Sequence, residues 1–373
     1  MRSLLFITRK WEGFGGMQQL SRDLWRGMCE MYEGRSDFCA PIRRLPLIRF
    51  SVFILRTVFL GTGAVVRRSH VHLGDATLTP LGWFFKKCGC PVTVTVCGLD
   101  VLWQSQWYQW LLRRTLPSMD RVVCISHATA EEVQKRGVAQ EKIVIIPCGV
   151  WDSEKKCRSF ETPRRCHGEG FCKAKLSRTI TGGAPQDGTF FQNPILLTVG
   201  RLVPRKGIVW FLQEVMPRLL EWKPGLQYWI IGEGPEEERI CMTIAQMGIG
   251  KNAHLMKGVG DQELKERLDA CSALLVPNIP INGDMEGFGI VCIEASVRGI
   301  PVIAARLEGL RDAVIEGETG DFFTPLDAGD CIRALRNVIE GKSLAHDVVA
   351  RNTHEHFGWP FLFQRYLHEV FIF

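Results

Sequence analysis

Short apolar runs alternate with helix-length stretches through both halves of this 373-residue chain. Such alternation favours parallel sheets covered by helices, because consecutive parallel strands are joined by crossovers that pack on the sheet. A chain of this length is too long for one ordinary core and suits two domains. The predicted fold is therefore α/β, with two Rossmann-like domains facing each other across a cleft.

The predicted elements divide between two halves. In the first, residues 1–150, we predict strands at 3–8, 69–73, 92–96, 121–125 and 142–146 and helices at 17–31, 78–88, 104–116 and 128–136. In the second, residues 193–355, we predict strands at 194–199, 227–231, 253–257, 273–276 and 302–304 and helices at 208–221, 236–247, 262–270, 291–298 and 328–340.

Residues 151–192 lack periodicity and contain paired glycines and prolines, which indicates a linker or inserted loop. Four potential metal ligands fall there: Cys157, Cys166, His167 and Cys172. Their spacing matches no ordinary zinc pattern, so a zinc site is the weaker interpretation of this segment.

The formal charge of +6 is unevenly distributed. The excess of Lys and Arg over Asp and Glu is +9 in residues 1–150 and −6 in 193–373, and residues 41–90 alone carry +7. A basic region with interleaved apolar residues suits an anionic membrane surface or a phosphate-bearing acceptor, although a merely solvated surface is the alternative. Nucleic acid is not an expected partner, because no recognition motif accompanies the charge.

Cellular location is predicted from cysteines and apolar runs. The fourteen cysteines are dispersed and form no CxxC pair, which is typical of reduced thiols in an intracellular chain. The first apolar run, residues 4–7, is too short for an export signal. The longest, 50–66, is interrupted by Arg56 and falls short of the ~20 residues of a spanning helix. We expect a cytoplasmic protein, peripheral to the inner face of the membrane if the basic region docks there.

Two segments carry most of the candidate chemistry. Gly200, Arg201 and Lys206 lie where a strand gives way to a helix, and Arg and Lys bind phosphate oxygens and can stabilise a leaving diphosphate. Glu286 begins a Glu-Gly-Phe-Gly turn before a helix start, where backbone N–H groups favour an anion. Glu294 follows about two helical turns later. One carboxylate could accept sugar hydroxyls and the other ribose hydroxyls.

Other turns at strand ends supply weaker candidates. Paired glycines follow the first strand, after Phe14, and a Gly-Glu-Gly turn follows 227–231, where missing side chains allow close backbone approach. Polar residues at strand ends are candidates for the acceptor side: His72, Asp75, Cys97, Asp100 and Ser126. For His72, an equally favoured alternative is a structural role, with its hydrogen bonds satisfied inside the protein.

These segments, in this order, resemble the retaining glycosyltransferases of family 4, which have the GT-B fold of two facing Rossmann-like domains. The resemblance runs from Leu4 to the C-terminus, excepting most of 151–192. It includes the sequences GGM (15–17), IPCGV (146–150), GRL (200–202), GEGP (232–235), EGFG (286–289) and GIPVIA (299–304). The closing Phe357-Gly358-Trp359 precedes a last helix, within 356–373, that the resemblance implies crosses back onto the N-terminal domain.

The resemblance implies roles for individual residues. Arg201 and Lys206 would bind the donor diphosphate, Glu294 the ribose, and Glu286 with the following turn the transferred sugar, while Gly16 would meet the diphosphate from the other domain. The implied donor-binding set is Gly15, Gly16, Gly200, Arg201, Lys206, Gly232, Gly234, Gly258, Glu286, Gly287, Phe288, Gly289, Ile290 and Glu294, of which Glu286, Arg201 and Lys206 are the catalytic candidates.

The predicted function is retaining transfer of a sugar from a UDP- or GDP-sugar to a glycan or lipid-linked acceptor, in cell-envelope or polysaccharide biosynthesis. No metal and no cofactor beyond the nucleotide-sugar co-substrate are implied.

One position departs from the pattern, because relatives usually have His where this chain has Cys97. A thiol near its usual pKa is mostly neutral and a poor hydrogen-bond partner. The alternative is therefore a weakened or non-catalytic homologue that binds nucleotide sugar.

Overall fold

A computed structural model describes residues 3–11, 15–32, 36–39, 49–151, 193–342 and 344–371. The predicted linker, with Cys157, Cys166, His167 and Cys172, lies outside these residues, as does Phe14. Among the described helices, none has the length and apolarity needed to cross a bilayer.

The first half folds around a six-stranded parallel sheet with strand order β2-β1-β3-β4-β5-β6. Its strands are β1 Leu4–Ile7, β2 Ser36–Cys39, β3 His70–Leu73, β4 Val92–Val96, β5 Arg121–Cys124 and β6 Ile143–Ile145. Its helices are α1 Gly16–Met31, α2 Arg49–Arg67, α3 Thr79–Lys87, α4 Leu99–Leu102, α5 Gln106–Thr115 and α6 His127–Gln134. The inner strands are buried on both faces, as in other parallel sheets covered by helices.

The second half repeats this architecture with strand order β12-β11-β10-β7-β8-β9. Its strands are β7 Ile195–Val199, β8 Gln227–Ile231, β9 Ala253–Met256, β10 Ala273–Val276, β11 Val302–Ala305 and β12 Gly320–Phe323. Its helices are α7 Ile208–Trp210, α8 Met216–Trp222, α9 Glu237–Gln246, α10 Asp261–Ala270, α11 Ile290–Ser296, α12 Leu310–Ala313, α13 Ala328–Ile339, α14 His346–Phe357 and α15 Trp359–Arg365. A π-helical turn, Phe211–Val215, joins α7 to α8, and another, Tyr366–Val370, extends α15.

The last helix lies against the first half of the chain. Gly27 of α1 lacks a side chain where the Phe363 ring packs, since a Cβ there would lie 2.4 Å from the ring. Val150 donates to the Phe357 carbonyl over 2.8 Å, and Trp359 donates to the Val150 carbonyl over 3.0 Å. The predicted fold class, including the helix that crosses back, is confirmed.

All ten predicted strands are present, but the edge strands β2 and β12 were missed. Each begins with residues that interrupt the apolar pattern, Ser36-Asp37 in β2 and Gly320-Asp321 in β12, which an edge position tolerates because one side of the strand has no partner strand. Helix α2 was also missed, although the apolar run 50–66 that it contains is visible in the sequence.

Candidate active site

The β7–α7 turn and the segment before α11 meet at a buried ion pair. The Lys206 ammonium contacts the Glu286 carboxylate directly, and Asn278 donates to the same carboxylate over 3.2 Å. Lys206 is only 7% exposed, and its ammonium lies beside Gly200, where an added Cβ would be 3.7 Å from Nζ. Two predicted catalytic residues, 80 positions apart in sequence, therefore share one location.

Three further charged residues complete this cluster, and sequence reasoning missed them. Arg205 is buried and pairs with Asp284 over 3.1 Å and with Glu286 over 3.6 Å. The Glu308 carboxylate accepts the backbone N–H of Glu286. Arg205 stands beside Lys206 in the sequence and could have been considered with it, whereas Asp284 and Glu308 carry no local signal.

The cluster keeps Glu286 ionised. Burial raises the pKa of Glu286, but the nearby Lys206 and Arg205 charges, with hydrogen bonds from Lys206 and Asn278, outweigh burial and hold the pKa below its ordinary value. Glu286 is therefore an acceptor-only carboxylate at neutral pH, able to accept hydrogen bonds from hydroxyl groups.

Arg201 differs from Lys206 in its surroundings. It follows Gly200 at the end of β7 and is exposed. Among the residues the structure describes, no carboxylate lies within ion-pair distance of Arg201. Its guanidinium is therefore available to an external anion.

The other glycines of the predicted donor-binding set differ in which atoms surround them. A Cβ at Gly232 would lie 1.9 Å from the Gly200 carbonyl oxygen, and one at Gly234 would lie 2.4 Å from the Leu202 carbonyl oxygen. These two glycines therefore let neighbouring turns pack, which is a structural requirement. Gly258 follows β9 and faces open space. Gly15 and Gly289 immediately precede α1 and α11, and Phe288 is buried against Phe357.

Turns of the first half touch the Glu286 segment across the cleft. A Cβ at Gly287 would lie 2.2 Å from the Cys97 carbonyl oxygen, and one at Gly98 would lie 3.2 Å from the Gly287 Cα. A Cβ at Gly16 would lie 3.5 Å from the Ile290 side chain. Donor candidates from both halves are thus adjacent at the carboxyl ends of the two sheets, where ligands bind in open α/β folds.

The structure places His72 in the core of the first half, which favours its structural alternative over contact with an acceptor. Its ring is fully buried, with Nδ1 2.8 Å from the Thr93 hydroxyl and Nε2 3.1 Å from the Thr95 hydroxyl. Tyr366 and Phe371 pack edge-on against the ring. Burial and the neighbouring His70 lower the pKa of His72 to about 3, so it is a neutral structural residue.

Three other acceptor candidates stabilise turns. Asp100 accepts from the Cys97 N–H over 3.0 Å and from the Ala76 N–H over 2.9 Å, although burial raises its pKa to about 6. Asp75 accepts from the Thr77 N–H over 3.1 Å. Ser126 caps α6 by accepting from the Thr129 N–H over 3.1 Å. All three are buried and bond within the first half, so contact with an acceptor stays a prediction for them.

Cys97 remains beside the centre of the cleft. Its backbone contacts Gly287, and its side chain is 7% exposed. Burial, with Asp100 next in effect, raises the pKa of Cys97 well above its ordinary value. The thiol is therefore neutral and cannot serve as a general base at physiological pH.

Glu294 lies near Asp23 of α1, whose charge acts on it. Burial raises the pKa of Asp23 to about 7, although Gln19 donates to both carboxylate oxygens over 3.1 Å. Burial, followed by the nearby Asp23 and Asp261, raises the pKa of Glu294 to about 7. Sequence reasoning missed Asp23, and the available signal was a carboxylate on the buried face of α1 beside Leu20 and Leu24.

This acidic pair predicts a pH-dependent stability. Between about pH 4 and pH 7 the native carboxyl groups retain protons that the unfolded chain has released, so stability falls as pH rises through that window. Asp23→Asn should therefore raise the free energy of unfolding at pH 8 by about 2–4 kcal/mol and change little near pH 4. Denaturant unfolding at both pH values measures this, with the exposed Asp347→Asn as control. Equal stabilisation at both pH values would contradict it.

A cavity of about 470 Å³ opens between the two halves beside the Lys206–Glu286 pair. Its lining includes Leu102 and Glu131 from the first half and Arg306 and Arg311 from the second. Asp284 and Glu308 belong both to this lining and to the charged cluster. The cavity is thus a candidate place for a second substrate next to the donor candidates. Among the described residues, no group of three His, Cys, Asp or Glu side chains is arranged to hold a metal ion.

Two family models match the chain and together cover most of it. The model described as "Glycosyl transferase 4-like domain" matches residues 24–149, and "Glycosyl transferases group 1" matches residues 185–355. The match to "Glycosyl transferases group 1" contains the β7–α7 turn and α11. The match to "Glycosyl transferase 4-like domain" contains the β4–α4 turn.

Curated relatives match shorter stretches. The GDP-mannose-dependent alpha-(1-6)-phosphatidylinositol monomannoside mannosyltransferase of Mycolicibacterium smegmatis is 31% identical over 148 residues, covering 39% of this chain and 38% of that protein. The D-inositol 3-phosphate glycosyltransferase of Streptomyces coelicolor is 28% identical over 253 residues, covering 64% and 52%. The matches thus span about half or less of these relatives' length.

A solved structure shares the fold along its whole length. The crystal structure of Anabaena HepE in complex with UDP and glucose superposes with a TM-score of 0.69 at 14% identity, and the match covers 100% of both chains. At this identity, the similarity shows that the chain has the two-domain GT-B fold.

Proposed function

Since the chain belongs to the family of group 1 glycosyltransferases, of the family 4 type, we propose that it moves a sugar from a UDP- or GDP-sugar to a glycan or lipid-linked acceptor. In this proposal residues 193–355 hold the donor and residues 1–150 form the acceptor side. The single observation that carries it is the convergence of Lys206, Glu286 and the turns bearing Gly16 and Cys97 on one point of the cleft.

The charges at that point suit a sugar diphosphate. Arg201 is exposed and offers a bidentate site for phosphate oxygens, and Lys206 supplies a second cation that the donor shares with Glu286. Glu286, held ionised by Lys206 and Arg205, accepts hydroxyl groups of the transferred sugar. Glu294, about one helical turn into α11, accepts the ribose hydroxyls.

The proposed transfer breaks the bond between the anomeric carbon and the diphosphate oxygen. The acceptor oxygen forms the new bond on the same face, which retains the configuration, and its proton passes to the departing phosphate oxygen. Lys206 and Arg201 stabilise the negative charge that develops on the leaving diphosphate. In this mechanism neither a metal nor the neutral Cys97 thiol carries a step.

The proposed acceptor is a lipid-linked or cell-envelope glycan. Supporting this class, the matched mycobacterial relative is named for a phosphatidylinositol monomannoside acceptor. Within the chain, the cavity beside Glu286 has carboxylates and arginines that can bind acceptor hydroxyl and phosphate groups. The basic region 41–90 is the proposed contact with an anionic membrane at which such an acceptor resides.

A calorimetric screen against UDP-, GDP-, ADP- and dTDP-sugars tests the donor site. We expect one donor class to bind, and Glu294→Ala to weaken that binding at least about tenfold, because two ribose hydroxyls lose their acceptor. The exposed Glu355→Ala is the matched control. Binding of no nucleotide sugar, or equal affinity in Glu294→Ala, would refute the assignment. Donor binding without any sugar transfer would instead support the non-catalytic alternative.

A further inference from the structure

Exposed aromatic side chains are concentrated on one part of the first half. All four exposed tryptophans of the chain lie there: Trp83, Trp103, Trp107 and Trp110. With the exposed Val58, Phe59, Val66 and Phe84 they form what we call the aromatic face. Trp107 is 68% exposed and Phe59 is 78% exposed, so no described part of the chain covers either side chain.

The aromatic face is borne by neighbouring helices. Buried residues of α2, α3 and α5, including Ala64, Phe85 and Leu112, belong to one core cluster on the same side of the N-terminal sheet. Phe85 of α3 packs against Gly61 of α2, and the Thr79 hydroxyl of α3 lies 2.8 Å from the Thr115 hydroxyl of α5. The three helices thus present a common outer surface.

Basic residues outnumber acidic ones on this surface. Between residues 49 and 116 the only acidic residues are Asp75 and Asp100, and both are buried. The cations are interleaved with the rings, since Arg114 lies 4.5 Å from the centre of the Trp110 ring and Lys87 lies 5.5 Å from that of Trp83. Arg68 and Arg113 are also exposed, whereas Arg67 pairs with Asp37 over 3.1 Å and Lys86 pairs with Asp120 over 2.7 Å.

We propose that the aromatic face docks the protein on an anionic lipid bilayer. Tryptophan rings are favoured at the level of lipid head groups because one edge is polar and the body is apolar. Lys and Arg extend their charges to lipid phosphates while their stems remain against apolar surface. A surface on which basic residues outnumber carboxylates complements an anionic leaflet better than it complements a protein of mixed charge.

Docking through the aromatic face also brings the cavity between the two halves close to the membrane. This consequence for catalysis rests on the proposed function. Leu102 lines the cavity between the two halves, and the exposed Trp103 follows it directly. The next residue, Gln104, extends towards Gly283 on the opposite wall of the cavity. The docked face therefore begins at the cavity rim, so a lipid-linked acceptor enters while its apolar part stays in the bilayer.

Vesicle co-sedimentation tests the docking without donor or acceptor. Vesicles of phosphatidylcholine with phosphatidylglycerol should bind the full chain, vesicles of phosphatidylcholine alone should bind it at least about tenfold more weakly, and salt should weaken the anionic binding. Trp107→Ala/Trp110→Ala and Arg113→Glu/Arg114→Glu should each lower binding to anionic vesicles at least about tenfold. The matched control is Leu326→Ala/Phe361→Ala, two exposed apolar residues outside this surface.

Far-ultraviolet circular dichroism and calorimetric donor binding establish that each variant is folded. Wild-type vesicle binding by the folded tryptophan and arginine variants would overturn the proposal, as would absence of binding by the wild type. Loss of self-association in the variants, with vesicle binding unchanged, would assign the face to a protein interface. Donor binding is measured separately in solution, so a failure of the docking proposal can be distinguished from a failure of the proposed function.

Discussion

Lys206→Ala is expected to lower turnover by about a hundredfold to a thousandfold and to weaken donor binding. The substitution removes the cation that opposes the developing diphosphate charge. It also leaves the Glu286 carboxylate, buried and ionised, with Arg205 at 3.6 Å as its remaining cation. The residual negative charge would repel the diphosphate that Lys206 now attracts. Initial rates and calorimetry with the donor identified in the screen measure both effects.

A loss of stability must be separated from this loss of function, because removing one partner of a buried ion pair costs about 3–5 kcal/mol. Lys206→Ala/Glu286→Gln removes both charges and should recover stability without recovering activity. Lys251→Ala, at an exposed lysine in the same half, is the control. Wild-type donor affinity in folded Lys206→Ala would exclude Lys206 from the donor site.

Gly287→Ala is expected to reduce turnover at least about a hundredfold by separating the two halves of the cleft. The added methyl group would lie 2.2 Å from the carbonyl oxygen of Cys97, a distance that no Cβ contact tolerates. Since displacement of about 1 Å at a reacting centre can cost about a hundredfold in rate, the acceptor side would no longer meet the donor correctly.

The clash is across the cleft, so the second sheet itself should remain folded. Gly250→Ala is the matched control, because the added methyl group meets no atom within 4 Å and the backbone there is not in the positive-φ region. Donor binding by Gly287→Ala should be weakened less than turnover. If turnover equals that of Gly250→Ala, the contact between Gly287 and Cys97 is not part of the working conformation.

Much of the fold could be predicted from sequence because strand and helix periods are local properties. Strands β4, β8 and β10 were predicted with their observed boundaries, since each is a short run rich in β-branched, aromatic or aliphatic residues between turn residues. Donor candidates were found for a similar reason, because the turns at residues 200–207 and 286–289 are contiguous in sequence. The edge strands β2 and β12 were missed because Ser36-Asp37 and Gly320-Asp321 interrupt their apolar pattern.

The sequence by itself determined the class of fold, the family and the short segments that carry phosphate-binding and carboxylate chemistry. The tertiary structure alone decided which distant residues come together: Lys206 contacts Glu286, Asp23 lies near Glu294, and Gly287 lies against the backbone of Cys97. It also turned His72 into a core residue, because Tyr366 and Phe371 cover it from nearly 300 positions away. Contacts between distant segments depend on how sheets and helices pack, and no local period encodes that packing.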